Sequence, residues 1–386
     1  MTFNFDNSLL ETWAECEAES VASAVLGRQG KKRALYGDLG NVMHAALDCH
    51  FNDGSKDEVV QAFSDAYDKV IPVGESPDDE AMTKDNLLTI LDQYIKTRPV
   101  KAYPFEVLET EKVVGVEVKE GFKFWMKRDL LAKDKQTGAI YPVDHKTRWG
   151  QINEWWTKKF RLSSQFSGYI WGTEQTTGKK CDRVYVNAIS CGKLPNSTRK
   201  CKLHKMPYNE CRAQHADFQL LLYSRTPEQI EKWRLDMLFF AEQAEKYFQV
   251  FDSVDMLKYA LRRGTYNGGC VFCEFAEWCR GGFQADEMDQ LTVYRPWEPW
   301  KGVEDGKAAK GEKYPYFWLW DKTLDSIYTS EKAVSGVTVL PRDMALKKLW
   351  DRGKDNWMHV WKNFPEAQKE MAEFGRSKLA GNTTES

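Results

Sequence analysis

Two groups of residues in this chain have the types and spacing to do chemistry. The first is Cys270-Val-Phe-Cys273-Glu-Phe-Ala-Glu-Trp-Cys279, with a distant Cys16. Thiolates are soft ligands, and a set of four is accepted both by a zinc ion and by a four-iron cluster. The second is Asp129, followed by Tyr141-Pro-Val-Asp144-His145-Lys146. Hydrolysing a phosphodiester needs a cation that neutralises developing charge and activates water, and hard cations such as Mg²⁺ take carboxylate oxygens. Asp129 and Asp144 on adjacent strands of a hairpin can converge on one ion. Lys146 lies two residues after Asp144, so its side chain leaves the strand on the same face. An ammonium there can hold the attacking water or steady the phosphate. Val143 and Ile140 mark a mostly buried strand, where an Asp and a Lys need a reason to exist.

Two further features stand near this pair in the order of the chain. Gln165-Phe-Ser-Gly-Tyr169 puts Gln165 and Tyr169 one helical turn apart, on one face. They could orient Lys146 or touch nucleic acid, and an ordinary amphipathic helix reads the same way. Upstream, His44 falls on the apolar side of a helix, where a single histidine is usually a satisfied core residue. Trp149, Trp155 and Trp156 follow the Asp-x-Lys strand among Arg148, Lys158, Lys159 and Arg161. Indoles beside cations suit single-stranded nucleic acid, and equally they pack a helix on a sheet.

The elements that must carry these residues can be read from periodicity. Leu39, Val42, Met43, Ala46 and Leu47 have helical spacing over 38–51, and 80–97 resumes the pattern. The first ~100 residues read as helical throughout. Strands follow at Phe105–Val118, Phe122–Lys133 and Ala139–Thr147, with turns at Gly121 and at Lys135–Gly138. Residues 152–173 return to a helical pattern; Arg183–Ser190 and Asp217–Tyr223 are strands. Thr226-Pro-Glu-Gln229 starts a helix with a capping box and a proline in its first turn. The expected organisation is a helical N-terminal region over 1–100 contributing His44 and Cys16, a core over 101–285 with the late cysteines, and a Trp-rich extension over 290–386. Seven of the fifteen tryptophans lie in 291–386.

Composition bounds the class. The chain has 386 residues, 42% hydrophobic and 29% charged, with a formal charge of −2. It is long enough for two or three domains, and no global field recruits nucleic acid. Charge is local instead: Lys123–Ser163 carries ten Lys/Arg against four Asp/Glu, and Gly192–Arg212 six against one. No stretch reaches the ~18 apolar residues of a membrane span, and the start lacks a signal-peptide pattern. The expectation is a cytoplasmic protein, of a bacterial or phage-infected cell, with no membrane partner. Nine cysteines there do not make a disulfide framework. Cys181, Cys191, Cys201 and Cys211 match no known ligand spacing and read as unrelated thiols.

The ordered set His44, Asp129, Asp144-His145-Lys146, Gln165-xxx-Tyr169 and three late cysteines resembles the RecB-like branch of the PD-(D/E)XK nuclease superfamily. It is most similar to the iron-sulfur exonucleases of that branch, including CRISPR-associated and phage-encoded members. The resemblance covers residues 10–285. One departure is Met126, three residues before Asp129, where that branch often has glycine.

What the resemblance implies is specific. The fold would be α/β (α+β), a restriction-endonuclease-like core of mixed β-sheet flanked by helices, with a helical N-terminal region and a C-terminal extension. His44, Asp129 and Asp144, with the backbone carbonyl of His145, would bind Mg²⁺ or Mn²⁺. Lys146 would activate water, and Gln165 and Tyr169 would support the site. Glu106 or Glu109 would add a carboxylate. Cys16, Cys270, Cys273 and Cys279 would hold a [4Fe-4S] cluster, with zinc the alternative occupant and Cys49 the substitute for Cys16. The implied activity is that of a DNA exonuclease acting at a free single-stranded end, with a recombination or helicase partner. The readings opposed to it are a catalytically inactive nucleic-acid-binding protein on the same fold and a zinc-stabilised structural protein.

Overall fold

The computed structural model describes residues 3–31, 35–72, 74–248, 254–295 and 297. Nearly all of the Trp-rich extension expected over 290–386 lies outside the described residues. The chain divides into two compact units: Met1–Arg33, Glu117–Trp125 and Leu235–Ser386 form one, and Ala34–Val116 with Met126–Arg234 the other. Among the described residues, no helix is long and apolar enough to cross a membrane.

The first unit opens on a strand, β1 (Phe3–Asp6), where helix was expected. Its alternation is short but clear, with Phe3 and Phe5 buried. β1 lies parallel to the start of a later strand, Phe3 beside Phe122 and Phe5 beside Phe124. Asp6 then caps α1 (Asn7–Glu15), its Oδ1 accepting from Leu9 N–H at 2.7 Å. α2 (Glu17–Ser20) follows and runs into a π-helical turn at Val21–Val25. A two-stranded sheet pairs β2 (Arg28–Gly30) with β8 (Thr292–Tyr294).

The second unit carries the mixed sheet and its helices. α3 (Leu35–Phe51) buries Leu39, Val42, Met43, Ala46 and Leu47, the predicted stripe. α4 (Lys56–Val70) starts at a capping box between Ser55 and Glu58, and α5 (Lys84–Thr97) buries Leu87, Ile90, Leu91 and Tyr94. β3 (Phe105–Lys119) and β4 (Phe122–Asp134) pass from one unit into the other. β4 pairs antiparallel with β5 (Ile140–Arg148), Leu130 opposite Val143. β5 pairs parallel with β6 (Arg183–Ser190), and β6 antiparallel with β7 (Phe218–Ser224). Pro142 lacks an N–H, and it falls one residue before the β5–β6 ladder begins at Val143.

α6 (Glu154–Lys158) and α7 (Ser164–Thr177) fill the β5–β6 crossover, as a parallel pair requires. α8 (Tyr208–Cys211) lies between β6 and β7. α9 (Pro227–Phe248) begins at the predicted cap: Thr226 Oγ1 accepts from Gln229 N–H, and Gln229 Oε1 from Thr226 N–H. The result is a mixed α/β fold with a sheet flanked by helices.

Candidate active site and cysteine centres

β4 and β5 present the acidic pair. Carried one step past Leu130 and Val143, their register sets Asp129 opposite Asp144. Both are buried. The β4–β5 ladder has ended there, which leaves the His145 N–H to the Asp129 side chain: it donates to Asp129 Oδ2 at 2.6 Å. That bond fixes the carboxylate and turns Oδ1 towards His44, whose Nδ1 is 3.5 Å away.

His44 reaches this point because α3 approaches β5 closely. One helical turn earlier, a Cβ on Gly40 would stand only 3.3 Å from Thr147 Oγ1. A third group joins them from β3. Glu111 Oε1 is 3.7 Å from His44 Nδ1, and the ligand atoms of His44, Glu111 and Asp129 all lie within 4.8 Å of one another. Glu111 has φ 46°, a left-handed backbone for a non-glycine residue. Such a conformation costs on the order of 1–3 kcal/mol and tends to sit at functional sites. Neither of the expected first-strand residues takes this position. Glu109 instead pairs with the buried Arg128 at 2.9 Å and with Lys112, and Glu106 is exposed.

Lys146 continues the site along β5. Its Nζ donates to Asp144 Oδ1 and to Gln165 Oε1, each at 3.0 Å. Gln165 Nε2 in turn donates to Tyr169 Oη at 3.0 Å. α7 thus holds the lysine through one glutamine, and its tyrosine holds the glutamine. His145 points to the other face, as strand alternation demands. Asn187 Nδ2 can only donate, so it gives one hydrogen to His145 Nδ1 and the other to Tyr94 Oη. His145 meets the site through its backbone.

The electrostatics separate these groups. Burial alone would lower the His44 pKa, but Asp129 and Glu111 overturn it and raise it to about 10. Burial would raise Asp129, and His44, His145 and Lys146 hold it well below the usual carboxylate range instead. Asp144 goes the other way: burial pushes it up, against the pull of Lys146 and with the push of Asp129. Burial lowers His145 to about 4, so its ring is neutral.

The residues fit a hard divalent cation. Carboxylate oxygens only accept; Glu111 Oε1 is buried with His44 Nδ1 no nearer than 3.7 Å, and Asp144 Oδ2 faces the Lys146 ammonium at 3.0 Å. The acidic cluster also stabilises positive charge at this point, as its effect on His44 shows.

A sheet that brings an acid on β4 to an Asp-x-Lys on β5, with a helix-borne glutamine on the lysine, defines a nuclease of the restriction-endonuclease-like class. The chain matches the family model of the PD-(D/E)XK nuclease superfamily over residues 7–280, and it belongs to that superfamily. These are metal-dependent nucleases, so the substrate class is nucleic acid. No curated protein matches the chain.

Of the three tryptophans beyond β5, Trp155 is 75% exposed, whereas Trp156 is buried with the Lys159 ammonium 5.2 Å from its ring centroid. Trp149 leans on Tyr36. Stacking on a base is open to Trp155; Trp156 packs.

In the first unit, Cys16, Cys270, Cys273 and Cys279 line one cavity of about 340 Å³, with Arg262 and Phe283 in its wall. A Cβ on Gly264 would touch both Cys270 Sγ and Cys16 Cβ, at 3.4 and 3.8 Å. Burial pushes the Cys273 thiol up to about 12, with Glu19 beside it. Cys49 lies on α3 and is not among the residues lining that cavity.

Cys201 and Cys211 differ from the reading as unrelated thiols. They meet His204 and His215, and all four ligand atoms lie within 4.8 Å of one another. Spacing between cysteines alone could not find this group, because half of its members are histidines.

Proposed function

We propose that this chain is a DNA exonuclease using Mg²⁺ or Mn²⁺, with a structural [4Fe-4S] cluster. The observation that carries the reading is the suspension of Lys146 between Asp144 and Gln165, beside an Asp129 fixed by the His145 N–H. His44, Glu111, Asp129 and Asp144, with the His145 carbonyl, would hold the cation. Bound there, it would neutralise the scissile phosphate and make water a stronger nucleophile.

The chain's own groups supply the rest. Lys146 Nζ holds the attacking water opposite the leaving oxygen, and Gln165 and Tyr169 keep it in place. Trp155 offers a stacking face that tolerates any base, among Lys158, Lys159 and Arg161. A free single-stranded end is the substrate this arrangement serves, delivered by a recombination or helicase partner. The cytoplasm of a bacterial or phage-infected cell would provide both. An inactive binding protein on the same fold would have no need of an intact Asp-Lys-Gln-Tyr chain.

Cys16, Cys270, Cys273 and Cys279 would hold the cluster. A zinc ion draws four sulfurs to roughly 3.8 Å of one another. Among the described residues, the ligand groups gathered within 4.8 Å do not include this set, whereas a cavity of about 340 Å³ separates them. That spread suits the larger cluster.

End-labelled linear and circular single-stranded DNA test the mode of action. Loss of the linear substrate with survival of the circle supports the exonuclease; cutting of the circle at the same rate overturns it. Iron and inorganic sulfide in the purified protein, both lost in Cys273→Ser, support the cluster. Protein without iron contradicts it.

A further inference from the structure

We infer that Cys201, His204, Cys211 and His215 hold one zinc ion that organises the basic connection between β6 and β7. This site is separate from the nuclease centre and from the four-cysteine cavity, and it rests on neither.

The geometry is that of a closed tetrahedral site. Zinc binds thiolate sulfur at ~2.3 Å and imidazole nitrogen at ~2.05 Å, so a tetrahedral S–N edge is ~3.6 Å. The observed edges are 3.7 Å for Cys201 Sγ to His204 Nδ1, 3.5 Å for Cys201 Sγ to His215 Nε2, and 3.4 Å for Cys211 Sγ to His215 Nε2. Two thiolates balance the charge of a divalent ion, and two sulfurs with two nitrogens suit zinc rather than a hard cation.

The local backbone presents the ligands in pairs. Cys201 and His204 sit on a tight turn: Lys205 N–H donates to Cys201 O at 3.0 Å, and Cys201 N–H to Met206 O at 2.7 Å. Lys205 takes φ 59° to close it. The His204 N–H is also directed at Cys201 Sγ, at 3.5 Å. Cys211 ends α8 and His215 ends the 3₁₀ turn Arg212–His215, and their Sγ and Nε2 meet at 3.4 Å.

A second observation is independent of the distances. From Cys191 to Asp217 the chain makes a long excursion, and the residues buried in it are Cys191, Leu194, Cys201 and Cys211. Leu203 is exposed. A loop of this length with almost no apolar core needs another source of order, and a bound ion provides it. Within it, Gly192–Arg212 carries six Lys/Arg against one acid. Holding like charges together without a core is costly, and the ion fixes Arg199, Lys200, Lys202 and Lys205 on one small scaffold.

The test is zinc content and zinc X-ray absorption of the full-length protein. One zinc per chain with two sulfur and two nitrogen neighbours is expected, falling to none in Cys211→Ala and in His215→Ala and unchanged in Cys191→Ala. The spectrum of the unaltered protein decides the matter even if a variant fails to fold. Four sulfur neighbours would place the zinc in the Cys16 cavity, and nitrogen and oxygen neighbours would place it at His44. Either result, zinc-free protein, or a Cys201–Cys211 disulfide overturns the inference.

Discussion

Lys146 donates to an acid on its own strand and to an amide from α7, and that amide is held in turn by a phenol. The chain of bonds predicts a graded series. Lys146→Ala should lower cleavage on the order of 10²–10⁴-fold. Tyr169→Phe removes one bond to Gln165, so it should cost about 1 kcal/mol of stability and a much smaller share of the rate, read by thermal melts and single-turnover kinetics. Glu111 allows a separate test. Glu111→Ala and Glu111→Gly both lose the carboxylate, and both should raise the cation concentration needed for half-maximal rate. Only alanine keeps the left-handed strain, so the glycine variant should be the more stable of the two by about 1–2 kcal/mol. Equal melting temperatures would contradict the assignment of strain at this residue.

The elements that position the site were largely legible, for identifiable reasons. β3, β4 and β5 are set off by turns at Gly121 and at Asp134–Gly138, and α3 announces itself by five apolar residues at helical spacing. Glu111 was not legible. Glu109 and Glu111 share a face in a regular strand, and the left-handed backbone at 111 breaks the alternation that would have ranked them. β1 was missed because four residues are too few to display a period against the helix that follows. The Cys201 group was missed because its ligands alternate between two residue types, two on a turn before α8 and two on α8 and the turn that follows it.

Met126, where the resembled branch often has glycine, has its counterpart on α7. A Cβ on Gly172 would lie 2.3 Å from Met126 Cε, so the helix leaves room for the methionine. Gly172→Ala should therefore displace the flexible end of Met126, offsetting the about 1 kcal/mol of helix propensity gained, so its stability should change little, and it should become stabilising in a Met126→Ala background, as a double-mutant cycle would show. α1 carries a pH signature. Burial is the largest influence on its cap, Asp6, and raises the carboxyl to about 6 although Leu9 N–H and other donors lower it. A carboxyl raised in the folded state stabilises fully below its ordinary 3.8, and that contribution is lost as pH rises through about 6. Asp6→Asn keeps the cap and removes the ionisation. Its melting temperature relative to the parent should rise between pH 4 and pH 8; a constant difference would contradict the raised carboxyl.

At the scale of the whole molecule, three kinds of ligand chemistry lie in different parts of the chain. Oxygen and one imidazole gather on the sheet, four sulfurs line a cavity in the other unit, and mixed sulfur and nitrogen cluster between β6 and β7. Ligand softness would sort the proposed occupants, so a hard divalent cation, the proposed iron-sulfur cluster and the inferred zinc would not compete for one place. Membership of the PD-(D/E)XK superfamily over 7–280 spans both units and all three groups. The central claim concerns the first of them. Its most direct test is cleavage of end-labelled linear DNA by the full-length protein, with Mn²⁺ or with EDTA, beside Lys146→Ala. The account predicts degradation that requires the cation and disappears in the variant while DNA binding persists. Folded, metal-supplied protein that binds DNA and leaves it intact, or a Lys146→Ala variant that cuts as fast as its parent, would contradict it.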